Sequence, residues 1–166
     1  MILLAPLAFA AAPSESEATA LSGDWRLAEP RDVVEARIDA AVEGLLAPLN
    51  VVVRTVARPR IRAAAKVCDA YHTTVTTTSF TVTCDGRTAA DVPFGQPPRA
   101  GTSPDGRAYA VTAAWTDGAV LLTFTGDEGG QTVRYQVVDG SLVVEKSLFV
   151  ERLDARMSWP MRYAHP

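Results

Sequence analysis

Imidazole and thiol are scarce in this chain: His72 and His165 are its only histidines, Cys68 and Cys84 its only cysteines. Four such groups leave little for a structural zinc site, and neither a metal nor a cofactor is expected. No Gly-x-Ser-x-Gly, His-Glu-x-x-His, Walker-type or Rossmann-type pattern occurs. With no acid/base constellation readable, an enzyme ranks below a binding protein or an interaction module. The side chains that offer chemistry are aromatic: Tyr109, Trp115, Phe124, Tyr135 and Trp159. Tyr and Trp pair an apolar body with a polar handle, which suits a ligand-lined wall as well as a core. An empty cavity of about 300 Å³ would cost about 7 kcal/mol at roughly 24 cal/mol per Å³. That rivals the whole stability of a small domain, about 5–15 kcal/mol. The interior behind these aromatics is therefore packed, wet or filled by a ligand.

The charges are ordinary in number. The chain carries a net charge of −3, with 21% charged and 48% hydrophobic residues in 166 positions. This describes one folded domain, not a disordered chain, and it lacks the basic excess of a nucleic-acid binder. Fourteen Arg against two Lys in an Ala-rich background suggests a GC-rich bacterial source. Residues 1–12 are apolar and end in small residues that fit signal-peptide cleavage, while being too short to span a membrane. A periplasmic or secreted protein is expected, in a compartment where disulfides persist. Residues 13–20 read as a flexible linker, and residues 21–166 as the domain.

Elements that position the aromatics follow from periodicity. Residues 21–27 form a short strand. Val33, Val34, Ile38, Ala41, Val42, Leu45 and Leu46 recur at helical spacing opposite Asp32, Glu35, Asp39 and Glu43. Asn50 caps a second helix, placing both helices within about 30–65, and Pro59 should break or kink the second. Arg54, Arg58 and Arg62 form one stripe on it, suited to transient contact with an anionic membrane surface or to pairing with the acidic stripe; pairing is favoured. From Val67 onward the texture is β, punctuated by Asp-Gly at 85–86, 105–106, 117–118 and 139–140.

Each turn sets a testable register. Asp117-Gly118 pairs Trp115 with Val120, Ala113 with Leu122 and Val111 with Phe124. A four-residue loop at 127–130 pairs Phe124 with Val133, and Asp139-Gly140 pairs Tyr135 with Val144. One apolar face then runs across four antiparallel strands. A three-residue loop at 75–77 sets Cys68 opposite Cys84, which predicts a disulfide, and His72 opposite Phe80. His72 thereby shares the inner face, as a ligand contact or a hydrogen-bonded interior imidazole. Residues 93–104, with four prolines, read as a loop, and a last strand covers about 158–165 with Trp159, Met161 and Tyr163 on one face.

A strand carrying Gly23-Asp24-Trp25, two helices and a long meander resembles the calycins, the lipocalins and fatty-acid-binding proteins. The resemblance implies a mainly β fold over residues 21–166, a small barrel with a two-helix insertion after its first strand. It also implies a small hydrophobic ligand, lipid included, inside the barrel, and Gly23 and Trp25 at a closed end with Arg162 against the indole. Fatty-acid-binding proteins often hold a carboxylate with an Arg and a Tyr two positions later on the last strand. Here Arg162 and Tyr163 are adjacent and point to opposite faces. Exported barrels with a Gly-x-Trp and a disulfide also resemble bacterial metalloprotease inhibitors, with residues 13–22 as the inserting arm. The two expectations are thus a carrier or sequestering protein and an extracytoplasmic protein-interaction module.

Overall fold

A computed structural model describes residues 12–103 and 106–166. Apart from Ala12, the predicted leader lies outside the described residues. The segment read as a linker is instead a helix, α1 (Glu15–Leu21). Ser14 and Glu17 form a capping box, with the Ser14 N–H donating to Glu17 Oε2 at 2.8 Å. Ser-x-x-Glu is a sequence signal for a helix start that the polar composition masked. Ala18 and Leu21 are buried where α1 packs against strands of the barrel.

Strand β1 (Gly23–Leu27) leads into α2 (Arg31–Leu46), which buries Val34, Ile38, Val42, Leu45 and Leu46. Asn50 Oδ1 accepts from the Val53 N–H at 3.0 Å and opens α3 (Val51–Ala64). Pro59 does not end α3. On either side of it, Arg58 bonds Glu43 at 2.6 Å and Arg62 bonds Asp39 at 2.7 Å, holding α3 along α2. The arginine and acidic stripes thus pair, as expected. Among the described residues no helix is long and apolar enough to cross a membrane.

The remaining strands are β2 (Ala70–Val75), β3 (Ser79–Cys84), β4 (Arg87–Pro93), β5 (Arg99–Thr102) and β6 (Ala108–Thr116), then β7 (Ala119–Gly126), β8 (Gly129–Val138), β9 (Ser141–Val150) and β10 (Ala155–Ala164). All ten form one antiparallel sheet in the order β4-β3-β2-β1-β10-β9-β8-β7-β6-β5. Because β1 pairs with both β2 and β10, the sheet curls round, and Gly95 N–H to Ala113 O at 3.2 Å nearly closes the gap. The mainly β barrel with helices after its first strand is as expected. The proline-rich segment is not all loop: β4 runs to Pro93, and β5 pairs only with β6, an edge position that tolerates nearby proline.

Two Asp-Gly turns set the registers expected of them, with Trp115 opposite Val120 and Tyr135 opposite Val144. The β7–β8 turn is tighter than expected and pairs Phe124 with Gln131. Gly129 and Gly130 belong to the ladder: a Cβ on Gly129 would lie 2.1 Å from Phe149 O. A shift of two leaves every side chain on its face. The β2–β3 hairpin shifts by three, because Thr76 Oγ1 accepts from the Ser79 N–H at 2.9 Å and makes a two-residue loop. An odd shift reverses the face, so Tyr71, Thr73 and Val75 are buried and His72 is outside.

The Cys68–Cys84 disulfide is nevertheless present, with Cα atoms 5.5 Å apart; Cys68 lies ahead of β2, and Tyr71 is the register partner of Cys84. Thiol titration of the denatured, unreduced protein should find no free thiol, and reduction should lower stability by about 3 kcal/mol for a loop of this size. Two titratable thiols, or unchanged urea unfolding after reduction, would count against the bridge.

Candidate functional site

The register arranges the inner face of β6–β10 in rows. Trp115, Val120, Tyr135, Val144 and Met161 form one row, and Ala113, Leu122, Val133, Lys146 and Trp159 form the next. Every side chain in both rows is buried. The following row, Val111, Phe124, Gln131, Leu148 and Met157, is different. Its three central members are only part-buried although their strand parity points them inward. The barrel wall therefore opens to solvent beside the β7–β8 turn. A groove of about 330 Å³ lies there, lined mainly by residues of outward parity, Thr123, Thr125, Thr132, Ser147, Phe149 and Arg156, with the inward Phe124, Gln131 and Leu148 at its floor. The Arg156 guanidinium sits 4.8 Å above the Phe149 ring.

Of the aromatic residues singled out from the sequence, Phe124 borders this groove and Tyr109 packs against it, ring centres 5.7 Å apart. Trp115, Tyr135 and Trp159 lie deeper. Tyr135 packs on Phe80 at 5.0 Å and on Tyr71 at 5.8 Å, and Tyr71 packs on Tyr163 at 4.9 Å. Burial pushes the phenols of Tyr71, Tyr135 and Tyr163 well up from the ordinary range. This part of the interior is a packed aromatic cluster, not an open wall.

His72 stands half-exposed on the outer face, with Nδ1 2.8 Å from Asp24 Oδ1. The indole of Trp25 is buried as expected, donating to Thr73 Oγ1 at 3.0 Å, but Arg162 is not its cover. Position 162 has outward parity on β10, and Arg162 meets Glu29 through its backbone N–H at 2.9 Å. His165 stacks on the indole instead, ring centres 3.9 Å apart. Gly23 lies beside it, where a Cβ would come 3.3 Å from His165 Cε1.

The residue that sequence reasoning passed over is Lys146. The same register that turned Tyr135 and Val144 inward also turns Lys146 inward, but aromatics drew the attention. Its Nζ donates to Lys66 O at 2.7 Å, and among the described residues it pairs with no carboxylate. Burial, aided by the nearby Lys66 charge and opposed by Asp85, pulls the ammonium down to about 8. Among the described residues, the buried Trp159 Nε1 has no hydrogen-bond partner.

No protein-family model matches the chain, and no curated protein matches it by sequence. Solved structures do match. The chain is similar to the REP1-NXSQ fatty acid transporter, with 18% identity, a TM-score of 0.54, and 90% of this chain and 98% of that one covered. It is similar to human cRBP IV at 15% identity and a TM-score of 0.52, covering 88% and 98%. It also resembles apo lipid binding protein 8 of Caenorhabditis elegans at 11% and 0.53, covering 92% and 98%. The fold is thus that of the fatty-acid-binding, calycin-like barrels.

Proposed function

We propose that this barrel binds a small hydrophobic molecule, admitted at the rim beside the β7–β8 turn, and acts as an exported carrier or sequestering protein. The observation that carries this reading is the part-exposure of Phe124, Gln131 and Leu148, whose strand parity points them into the barrel while the rows beneath them are buried. The names of the similar structures, a fatty acid transporter and a lipid binding protein among them, support the same ligand class. The disulfide supports an oxidising compartment. Transient membrane contact during loading belongs to this reading, although the arginine stripe expected to make it is committed elsewhere. Arg58 and Arg62 pair with α2, and Arg54 donates to Leu49 O.

The interaction-module reading draws less support. Its inserting arm, residues 13–22, is largely α1, whose Ala18 and Leu21 are buried against the barrel.

Nile red, a neutral hydrophobic dye, should bind the purified protein saturably at about one per chain, with a blue-shifted emission. Gln131→Trp fills the rim and should weaken that binding about ten-fold or more, while a surface-adjacent position leaves the melting temperature nearly unchanged. Absence of saturable dye binding by the wild type would sink the reading.

A further inference from the structure

We propose that the outer face of β6–β10 is a saccharide-binding surface, on which a neutral, extended oligosaccharide lies across the strands along a row of five hydroxyl side chains. This site lies outside the barrel and does not depend on the carrier reading above.

The register that sends Trp115 and Tyr135 inward sends Thr112, Thr123, Thr132, Ser147 and Ser158 outward, as direct partners on five successive strands. Each hydroxyl can both donate and accept, and among the described residues none of the five bonds another protein group. Outward threonines elsewhere are engaged: Thr81 donates to Asp91 Oδ1 at 3.0 Å, and Thr74 Oγ1 meets His72 Nε2 at 3.4 Å. Neighbours in the row stand one strand apart, about 4.8 Å, which is close to the length of one sugar unit in an extended chain.

The middle of this row is recessed. The groove of about 330 Å³ takes in Thr123, Thr132 and Ser147 from the row, and Thr125, Gly130, Phe149 and Arg156 from the parallel row beside it. Gly130 stands between Thr125 and Phe149 in the register and contributes no side chain, which leaves the recess open. A Cβ there would lie 2.7 Å from Phe124 O, so the backbone itself keeps that place bare.

Charge selects the class of sugar. Arg156, its guanidinium 4.8 Å above the Phe149 ring, and Glu151 both line the groove, and among the described residues neither forms an ion pair. Their charges cancel, so an ionic ligand gains from one and loses to the other. A neutral polyol donates to Glu151, accepts from Arg156 and does both with the hydroxyl row. An apolar ligand would cover all of these groups and satisfy none, at a desolvation cost for each. The directionality of the row, crossing the strands in a line, suits an extended β-1,4-linked chain and not a coiled α-1,4-linked one.

The experiment titrates the full chain by calorimetry with cellohexaose, xylohexaose, mannohexaose and chitohexaose, all neutral and extended. Maltohexaose serves as the coiled counterpart and hexamannuronate as the charged one. At least one of the first four should bind with a Kd below about 1 mM, and the two counterparts about ten-fold more weakly or not at all. Thr132→Val, which keeps the side-chain shape and removes one hydroxyl, should weaken that binding about three-fold or more. Arg156→Met should weaken it about ten-fold, and Thr83→Val, on the outer face of β3, should leave it unchanged. Unaltered melting temperatures show that these surface variants fold. No binding by any of the four, equal binding of either counterpart, or full affinity in Thr132→Val or Arg156→Met overturns the saccharide surface and leaves the carrier reading untouched.

Discussion

Trp25→Ala should lower the melting temperature by about 6–20 °C. The indole is 1% exposed, and its N–H donates to Thr73 Oγ1, whose hydroxyl donates in turn to Leu21 O at 2.5 Å. Truncating a buried Trp costs about 3–5 kcal/mol, and each kcal/mol shifts a domain of this size by about 2–4 °C. Loss of the indole also leaves the buried Thr73 without its donor, joining α1 and β2 less firmly. Arg162→Ala should do little, because the Glu29 contact uses the backbone N–H and the guanidinium lies outside. His165→Ala should fall between the two, since its ring covers the indole at 3.9 Å but is itself exposed. Thermal unfolding followed by circular dichroism decides. A drop for Arg162→Ala equal to that for Trp25→Ala would reinstate Arg162 as the cover; a Trp25→Ala shift below about 3 °C would remove the Gly-x-Trp corner from the stability argument.

Lys146→Met should stabilise the ligand-free protein at pH 7 by about 3 kcal/mol. The ammonium is held down to about 8 by burial first, then by the Lys66 charge, against Asp85. The distance from there to the ordinary 10.5 corresponds to about 3 kcal/mol at 1.36 kcal/mol per pH decade. The sign follows from proton binding. Below about pH 8 both folded and unfolded chains carry the proton, and the folded state bears the full burial penalty. Between about 8 and 10.5 the folded lysine has lost its proton while the unfolded one keeps it, so stability rises with pH. Methionine, apolar and of similar length, has no such rise. The advantage of the variant should therefore shrink through that window and vanish above it. Tyr71, Tyr135 and Tyr163 act oppositely: their raised phenols add stability that is lost as pH climbs past about 10, where unfolded tyrosines ionise. They are common to both proteins, so the difference between the two urea-unfolding curves isolates Lys146. A Lys146→Met protein less stable than wild type at pH 7 would show that the bond to Lys66 O outweighs the burial of charge.

Local chemistry determined much of this protein from sequence alone. Asp117-Gly118 and Asp139-Gly140 specify tight turns because both positions adopt positive φ, at 51° and 68° and at 51° and 72°. From those two turns the inward pairs Trp115–Val120 and Tyr135–Val144 follow by alternation, whereas the β7–β8 turn, tighter by two residues than its Gly-Gly suggested, is what sets Val120 beside Tyr135. Helix α2 follows from its apolar spacing, and the Asn50 cap of α3 from its residue type. Turns whose geometry comes from hydroxyl hydrogen bonds, as at Thr76–Ser79, leave no Gly or Asn to read, and one odd slip there put His72 inside and Tyr71 outside. Tertiary structure alone decided what lies across space. His165 reaches Trp25 over a sequence separation of 140 residues because β10 returns beside β1. Lys146, the one buried charge among the described residues, meets Lys66 and Trp159 only when the curled sheet and the segment after α3 enclose them. Parity can point a side chain inward, but only closure of the barrel removes the water and makes that charge require a partner.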